Sequence, residues 1–212
     1  MIIHTTPATV ESLPKLMKSI MGEVTVINLL DDSMLQDMIH GYLAKEVEKR
    51  WIKYSEIAAS MGADAVLSAC SSVGEFAEKA GEYLKIPVYR IDEAMAERAV
   101  EIGTTISIFA TLSTTLEPTV NLIRRKASAA GKECVIHTVL VSGAYEELMK
   151  GNRGLHNQKI QEAVLKHSDS DVLVLAQASM ASALEGLRGI DASKVLTSPV
   201  LGVEKLKKDL QL

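Results

Sequence analysis

The chain carries one pattern twice. Ile3-His4-Thr5-Thr6-Pro7-Ala8-Thr9-Val10-Glu11 aligns without a gap on Phe109-Ala110-Thr111-Leu112-Ser113-Thr114-Thr115-Leu116-Glu117, an offset of 106 residues from Ile3 to Phe109. Asp64-Ala65-Val66-Leu67-Ser68-Ala69-Cys70-Ser71-Ser72-Val73 aligns on Asp171-Val172-Leu173-Val174-Leu175-Ala176-Gln177-Ala178-Ser179-Met180, an offset of 107 from Asp64 to Asp171. Two gapless matches at nearly one spacing indicate two copies of a unit of about 100 residues. A chain of 212 residues, 47% of them hydrophobic, has enough apolar mass for both copies to form a core.

Within each copy, strand-length apolar runs alternate with helical stretches. Val24 to Leu30 and Val135 to Val141 are β-rich runs that follow a glycine, and Pro87-Val88 pairs with Pro199-Val200. Met34 to Met61, Glu75 to Leu84 and Gln158 to His167 carry helical spacing. Val172 to Leu175 is apolar throughout, as a strand covered on both faces requires. The expected fold is therefore α/β, with two pseudo-symmetric lobes, each a parallel-type sheet flanked by helices. The first lobe is expected to span residues 1–101 and 199–212 and the second 102–198, the last helix near Val203 to Leu210 returning to the first lobe. Ligands of open α/β sheets bind beyond the carboxyl ends of the strands, and Thr5, Cys70, Thr111 and Gln177 each follow an expected strand. If the lobes face each other, these loops line one active-site cleft.

Charge narrows the partners. Lys plus Arg number 23 against 27 Asp plus Glu, a net charge of −4, and 4% of residues are aromatic, so neither a phosphate backbone nor exposed bases find a platform. Nucleic acid is excluded as a partner. The run Met1-Ile2-Ile3-His4-Thr5-Thr6-Pro7 has no basic leader, and no stretch of 18 apolar residues occurs, so a membrane is excluded and a cytoplasmic location expected. Cys70 and Cys134 stand alone, which fits a reducing compartment. His40, His137, His156 and His167 show no mutual metal spacing, and no metal is expected.

Cys70 has a chemical case of its own. It follows an apolar strand and precedes Ser72-Val73-Gly74-Glu75, a Ser-x-x-Glu capping box that places the thiol beside a helix N-terminus. There the unpaired N–H groups favour thiolate and lower the pKa toward the range of a base or nucleophile; the plainer alternative is a small buried hydrophobe. Thr5 and Thr6 in the first copy, and Thr111, Ser113, Thr114 and Thr115 in the second, supply hydroxyls and N–H groups suited to a carboxylate. Thr114 or Thr115 also reads as a helix cap with Pro118 in the first turn. His4 ends the first strand, either as a second acid/base or as a hydrogen-bonded structural histidine. Asp92-Glu93, after Arg90-Ile91, reads either as a neighbour of the cleft or, more plainly, as a dipole complement at a helix start.

The run Val66 to Ser72, its echo from Leu173 to Met180, and the loop Ala110 to Thr115 resemble the aspartate/glutamate/hydantoin racemase superfamily over nearly the whole chain. The resemblance implies two α/β lobes around a small carboxylate or hydantoin, with one cysteine from each lobe working on opposite faces of a carbon acid, without cofactor or metal. It implies a cofactor-independent isomerase, with homodimers or higher homo-oligomers among the expectations. Cys70 falls on the first-lobe cysteine; Gln177 occupies the second-lobe position. A glutamine amide is no base near neutral pH, but it can donate to a carboxylate or oxyanion. The expected catalytic pair is Cys70 and Gln177, with His4, Thr5, Thr6, Ser71, Ser72, Thr111, Ser113, Thr114, Thr115, Ala178 and Ser179 around the substrate. A one-cysteine decarboxylase or cis-trans isomerase, and a silent carboxylate-binding protein, are the alternatives.

Overall fold

A computed structural model describes residues 1–41 and 44–212. Two four-stranded sheets, parallel throughout, organise it. The first joins β1 (Ile2–His4), β2 (Asn28–Leu30), β3 (Val66–Ser68) and β4 (Val88–Arg90) in the order β2-β1-β3-β4. The second joins β5 (Thr105–Ala110), β6 (Val135–Leu140), β7 (Val172–Leu175) and β8 (Val195–Thr197) in the order β6-β5-β7-β8. Parallel neighbours cannot be joined by a hairpin, so each connection crosses a face of the sheet. The crossovers are α1 (Ser12–Met21), α2 (Ser33–Ile39), α3 (Ala44–Ser60) and α4 (Gly74–Gly81) in the first sheet, then α6 (Ser113–Ala129), α7 (Ala144–Met149) and α8 (Arg153–Leu165) in the second. Two further helices, α5 (Glu93–Ile102) and α9 (Ser198–Asp209), follow β4 and β8.

The repeat in the sequence is also a repeat of register. Ile2 lies opposite Leu67 and Ile3 opposite Ser68; in the second sheet Ile108 lies opposite Val174 and Phe109 opposite Leu175. The sequence offsets of 106 and 107 convert one set of pairs into the other. The central strands β3 and β7 are buried along their length, covered on both faces as their unbroken apolar runs require. On α3 the buried residues Val47, Trp51, Ser55 and Ala58 form one stripe, and on α8 His156, Ile160 and Val164 do the same.

Three local expectations are corrected. The stretch Met34 to Met61 is two helices, α2 and α3, rather than one; residues 42 and 43 within it lie outside the described residues. Val88 lies opposite Val66, and Val195 opposite Leu173, so the counterpart of Val88 is Val195 and not Val200. Pro199-Val200 instead sits in the first turn of α9, where a proline's missing N–H costs nothing. Helix α6 begins at Ser113 with Leu112 as its cap residue, so neither Thr114 nor Thr115 caps it and Pro118 is its sixth residue.

By packing, the chain divides into one compact unit of Met1–Glu93 with Pro199–Leu212 and a second of Ala94–Ser198. The sequence reading grouped residues 94–101 with the first copy; here they belong to the second. Lys132 Nζ donates to the carbonyls of Val100 and Glu101 at the end of α5, 2.7 and 3.1 Å away, and Lys126 pairs with Glu97 at 2.7 Å. In the first unit, Val203 and Leu206 of α9 pack with Ile2, Leu13, Met17 and Leu67. The approach is close: a Cβ on Gly202 would lie 2.3 Å from the Ile91 carbonyl oxygen.

Candidate active site

In the first unit, β1 and β3 end side by side, the Ala69 N–H donating to Ile3 O at 3.0 Å. This brings together His4, Thr5, Thr6, Cys70, Ser71 and Ser72. Cys70 has an extended backbone and caps a single 3-10 turn, Ser71–Val73, that leads straight into α4. The expected capping box is displaced: Ser72 lies inside the turn and Val73 takes the cap position of α4.

The direction of the Cys70 pKa is also corrected. Burial, the largest influence, pushes the thiol above its ordinary value, while the Thr5 hydroxyl, the N–H and hydroxyl of Ser72 and the Val73 N–H pull toward thiolate without reversing it. Cys70 heads the turn but makes no side-chain cap bond to it, and the apolar packing around the sulfur outweighs the pull of the turn. The Thr5 hydroxyl is buried and makes no hydrogen bond of good geometry among the described residues; its interaction with the sulfur is a proximity, not a formed bond.

His4 is fully buried with both ring nitrogens engaged, Nδ1 to Thr9 Oγ1 at 2.9 Å and Nε2 to Asn28 Oδ1 at 3.0 Å. An amide oxygen only accepts, so Nε2 carries the proton and Nδ1 accepts from the threonine. This is the geometry of the structural alternative, and burial lowers the His4 pKa. Thr6 accepts from Ala8 N at 3.4 Å as the cap of the turn Pro7–Thr9.

The second unit repeats the arrangement with different chemistry. The Ala176 N–H donates to Phe109 O at 2.9 Å, setting the ends of β5 and β7 together. Gln177 Oε1 accepts from the Thr111 N–H at 2.6 Å and from the Thr111 hydroxyl at 2.9 Å. A backbone N–H can only donate, so this pair fixes the amide orientation and turns Nε2, the donor end, away from Thr111. Gln177, Ala178 and Ser179 are half-buried; beyond Thr111, Ser113 is exposed, Thr114 half-buried and Thr115 buried. Thr111 stands where Thr5 stands in the first unit, each beside the residue that leads from the neighbouring strand into its loop. Cys134, by contrast, directly precedes β6, at the opposite end of its sheet from Gln177.

Sequence reasoning missed an ion cluster behind Cys70. Arg90 forks onto Asp92, with Nε to Oδ1 and Nη2 to Oδ2 both 2.9 Å, and its Nη1 donates to Glu78 Oε1 at 2.6 Å. The Arg90 and Asp92 side chains are 3% and 1% exposed. Burial alone would lower the Arg90 pKa; Asp92 and Glu78 raise it above its ordinary value, and the guanidinium stays charged. The available signal was an arginine two residues before an aspartate at a strand end. Among the described residues, no three His, Cys, Asp or Glu side chains gather where one metal ion could hold them. No described helix is long and apolar enough to cross a membrane.

Two buried histidines set an acid limit. The pKa of His4 and of His156, whose Nδ1 lies 2.9 Å from Asn157 Oδ1, is lowered by burial below the ordinary 6.5. The unfolded chain then binds more protons than the folded one below pH 6.5, so stability rises with pH through that window and falls as pH drops below it. Thermal melts from pH 7.5 down to 5 should show a falling Tm, and His4→Gln should flatten part of that slope.

Comparison with known proteins follows the same lines. The family model described as Asp/Glu/Hydantoin racemase matches residues 1–205. Glutamate racemase from Francisella tularensis, solved in complex with D-glutamate, superposes with a TM-score of 0.76 at 13% identity over 99% of this chain and 80% of its own. Aspartate racemase from Picrophilus torridus gives 0.69 at 15% identity over 99% and 93%. Allantoin racemase from Klebsiella pneumoniae gives 0.62 at 17% identity over 100% and 87%. At these identities the likeness is one of fold. No curated protein matches the sequence significantly.

Proposed function

Since the chain belongs to the Asp/Glu/Hydantoin racemase family, we propose that it is a cofactor-independent racemase or isomerase acting on a small carboxylate, with Cys70 as its acid/base or nucleophile. Two unpaired cysteines fit work in the reducing cytoplasm. The observation that carries the reading is the equivalence of two strand ends: a thiol at the head of a helix-entry turn in one unit, an oriented amide donor in the other.

In this reading Cys70 as thiolate removes the proton α to the carboxylate. The Thr111 to Thr115 and Gln177 to Ser179 loops carry hydroxyl, N–H and amide donors of the kind that a carboxylate and a developing enolate-like charge require. Burial raises the Cys70 thiol above its ordinary value, so in this reading its ionisation accompanies substrate binding or the thiol acts first as the acid. Gln177 also favours a second reading. An amide cannot return a proton on the opposite face, whereas a decarboxylase or cis-trans isomerase needs one thiol only.

The test is proton-to-deuterium exchange followed by NMR over amino acids, hydantoins, malonates and maleate. The expected result is exchange, decarboxylation or isomerisation of at least one class. Tight binding with no chemistry across the panel would replace the enzyme reading with a carboxylate-binding protein.

A further inference from the structure

Gly74, the first residue of α4, has no room for a side chain. A Cβ there would lie 2.4 Å from Arg90 Cζ, 2.5 Å from Nε and 2.6 Å from Nη2, so the guanidinium rests on the backbone of the turn that follows Cys70. Arg90 is not a movable neighbour, since Asp92 holds it by two bonds and Glu78 by a third. Its strand is also fixed: Arg90 pairs with Ser68 in register, and the Ile91 N–H donates to Ser68 O at 3.0 Å. Register then gives Arg90 its counterpart in the second unit. Ser68 pairs with Arg90 where Leu175 pairs with Thr197, so the unit whose strand end carries glutamine has no guanidinium at this place. There the chain after Gln177 stays in a 3-10 turn, Ala178–Leu184, held by Gln161 Nε2 on Ala183 O and Glu185 O at 2.8 and 2.9 Å.

We propose that Arg90, locked by Asp92 and seated on Gly74, is a positioning residue for Cys70: it fixes the Ser71–Gly74 turn and so the place of the sulfur at the head of that turn. The inference rests on the reading of Cys70 as the working thiol. A buried ion pair adds little net stability over apolar residues of similar shape, and its retention fits a role in fixing one conformation. Titratable groups on the elements that pack with Cys70 include His4 on β1, Arg50 and Tyr54 on α3 with Asp31 between them, Glu75, Glu78 and Lys79 on α4, and Arg90 and Asp92 at the end of β4. The turn is the lever because it is the short path by which the guanidinium reaches the sulfur: Cys70 heads it and Gly74, against Arg90, ends it.

Gly74→Ala keeps every charge and lifts the guanidinium off the turn. The readout is the pH midpoint of Cys70 alkylation by iodoacetamide in the whole chain, with Cys134 in the other unit as internal reference and Tm as the control for folding. The expected result is a rise in the Cys70 midpoint of about half a unit to one unit, with the Cys134 profile unmoved. Arg90→Lys, which keeps the charge but replaces the planar fork with a point charge, should raise it similarly. An unchanged Cys70 midpoint in either folded variant would overturn the inference, and loss of folding in both would reduce Arg90 to a structural ion pair. The midpoint is read without substrate, so failure of the proposed function appears as missing turnover in wild type, and failure of this inference as an unmoved midpoint.

Discussion

Cys70→Ala should abolish α-proton exchange, lowering it by at least about a thousandfold on whichever substrate the wild type accepts. Among the described residues at the two strand-end sites, the thiol is the group placed to take and return a proton. His4 has both nitrogens engaged in the interior, and Gln177 presents an amide. Gln177→Ala should behave differently. It removes a donor and leaves Thr111 without its acceptor, a loss of about 1 to 3 kcal/mol, or about fivefold to 150-fold, expressed mainly in KM. Exchange assays on the two variants, with KM and kcat separated, check both statements. A Cys70→Ala protein retaining a tenth or more of wild-type exchange would remove the thiol from the chemistry.

Asp92→Ala should be the most destabilising single change at the site. It strands a guanidinium that is 3% exposed, with only Glu78 left to face it. Breaking a buried pair from one side costs about 3 to 5 kcal/mol, which for a chain of this size is a fall in Tm of about 10 °C. The exposed pair Lys15–Glu11, at 3.8 Å, provides the contrast, and Lys15→Ala should move Tm by no more than about 1 °C. Calorimetric or fluorescence melts of the two variants at pH 7.5 check the difference.

These effects divide along a line that the sequence itself drew. The duplication was legible because strand ends and the loops after them are local patterns, and the gapless echoes of Ile3–Glu11 and Asp64–Val73 survive as identical strand registers. Cys70 and Gln177 were legible as counterparts for the same reason. The pairing of Pro87 with Pro199 failed because a proline before a strand and a proline in a helix's first turn look alike in sequence, and only the register of β8 separates them. The Cys70 pKa was misjudged in direction because a helix N-terminus is a local feature while desolvation is set by everything packed around the sulfur. Of the Arg90 cluster only the spacing of Arg90 and Asp92 was legible, because its contacts to Gly74 and Glu78 join residues 12 to 16 positions apart through folding of β4 beside β3.

The central claim is the asymmetry of the two strand ends, a base in one unit and a donor in the other. Deuterium incorporation from D2O into each pure enantiomer of an accepted substrate tests it most directly. The account predicts exchange confined largely to one enantiomer, abolished by Cys70→Ala and extended to the other by Gln177→Cys. Exchange and interconversion of both enantiomers at similar rates by the wild-type protein would contradict it.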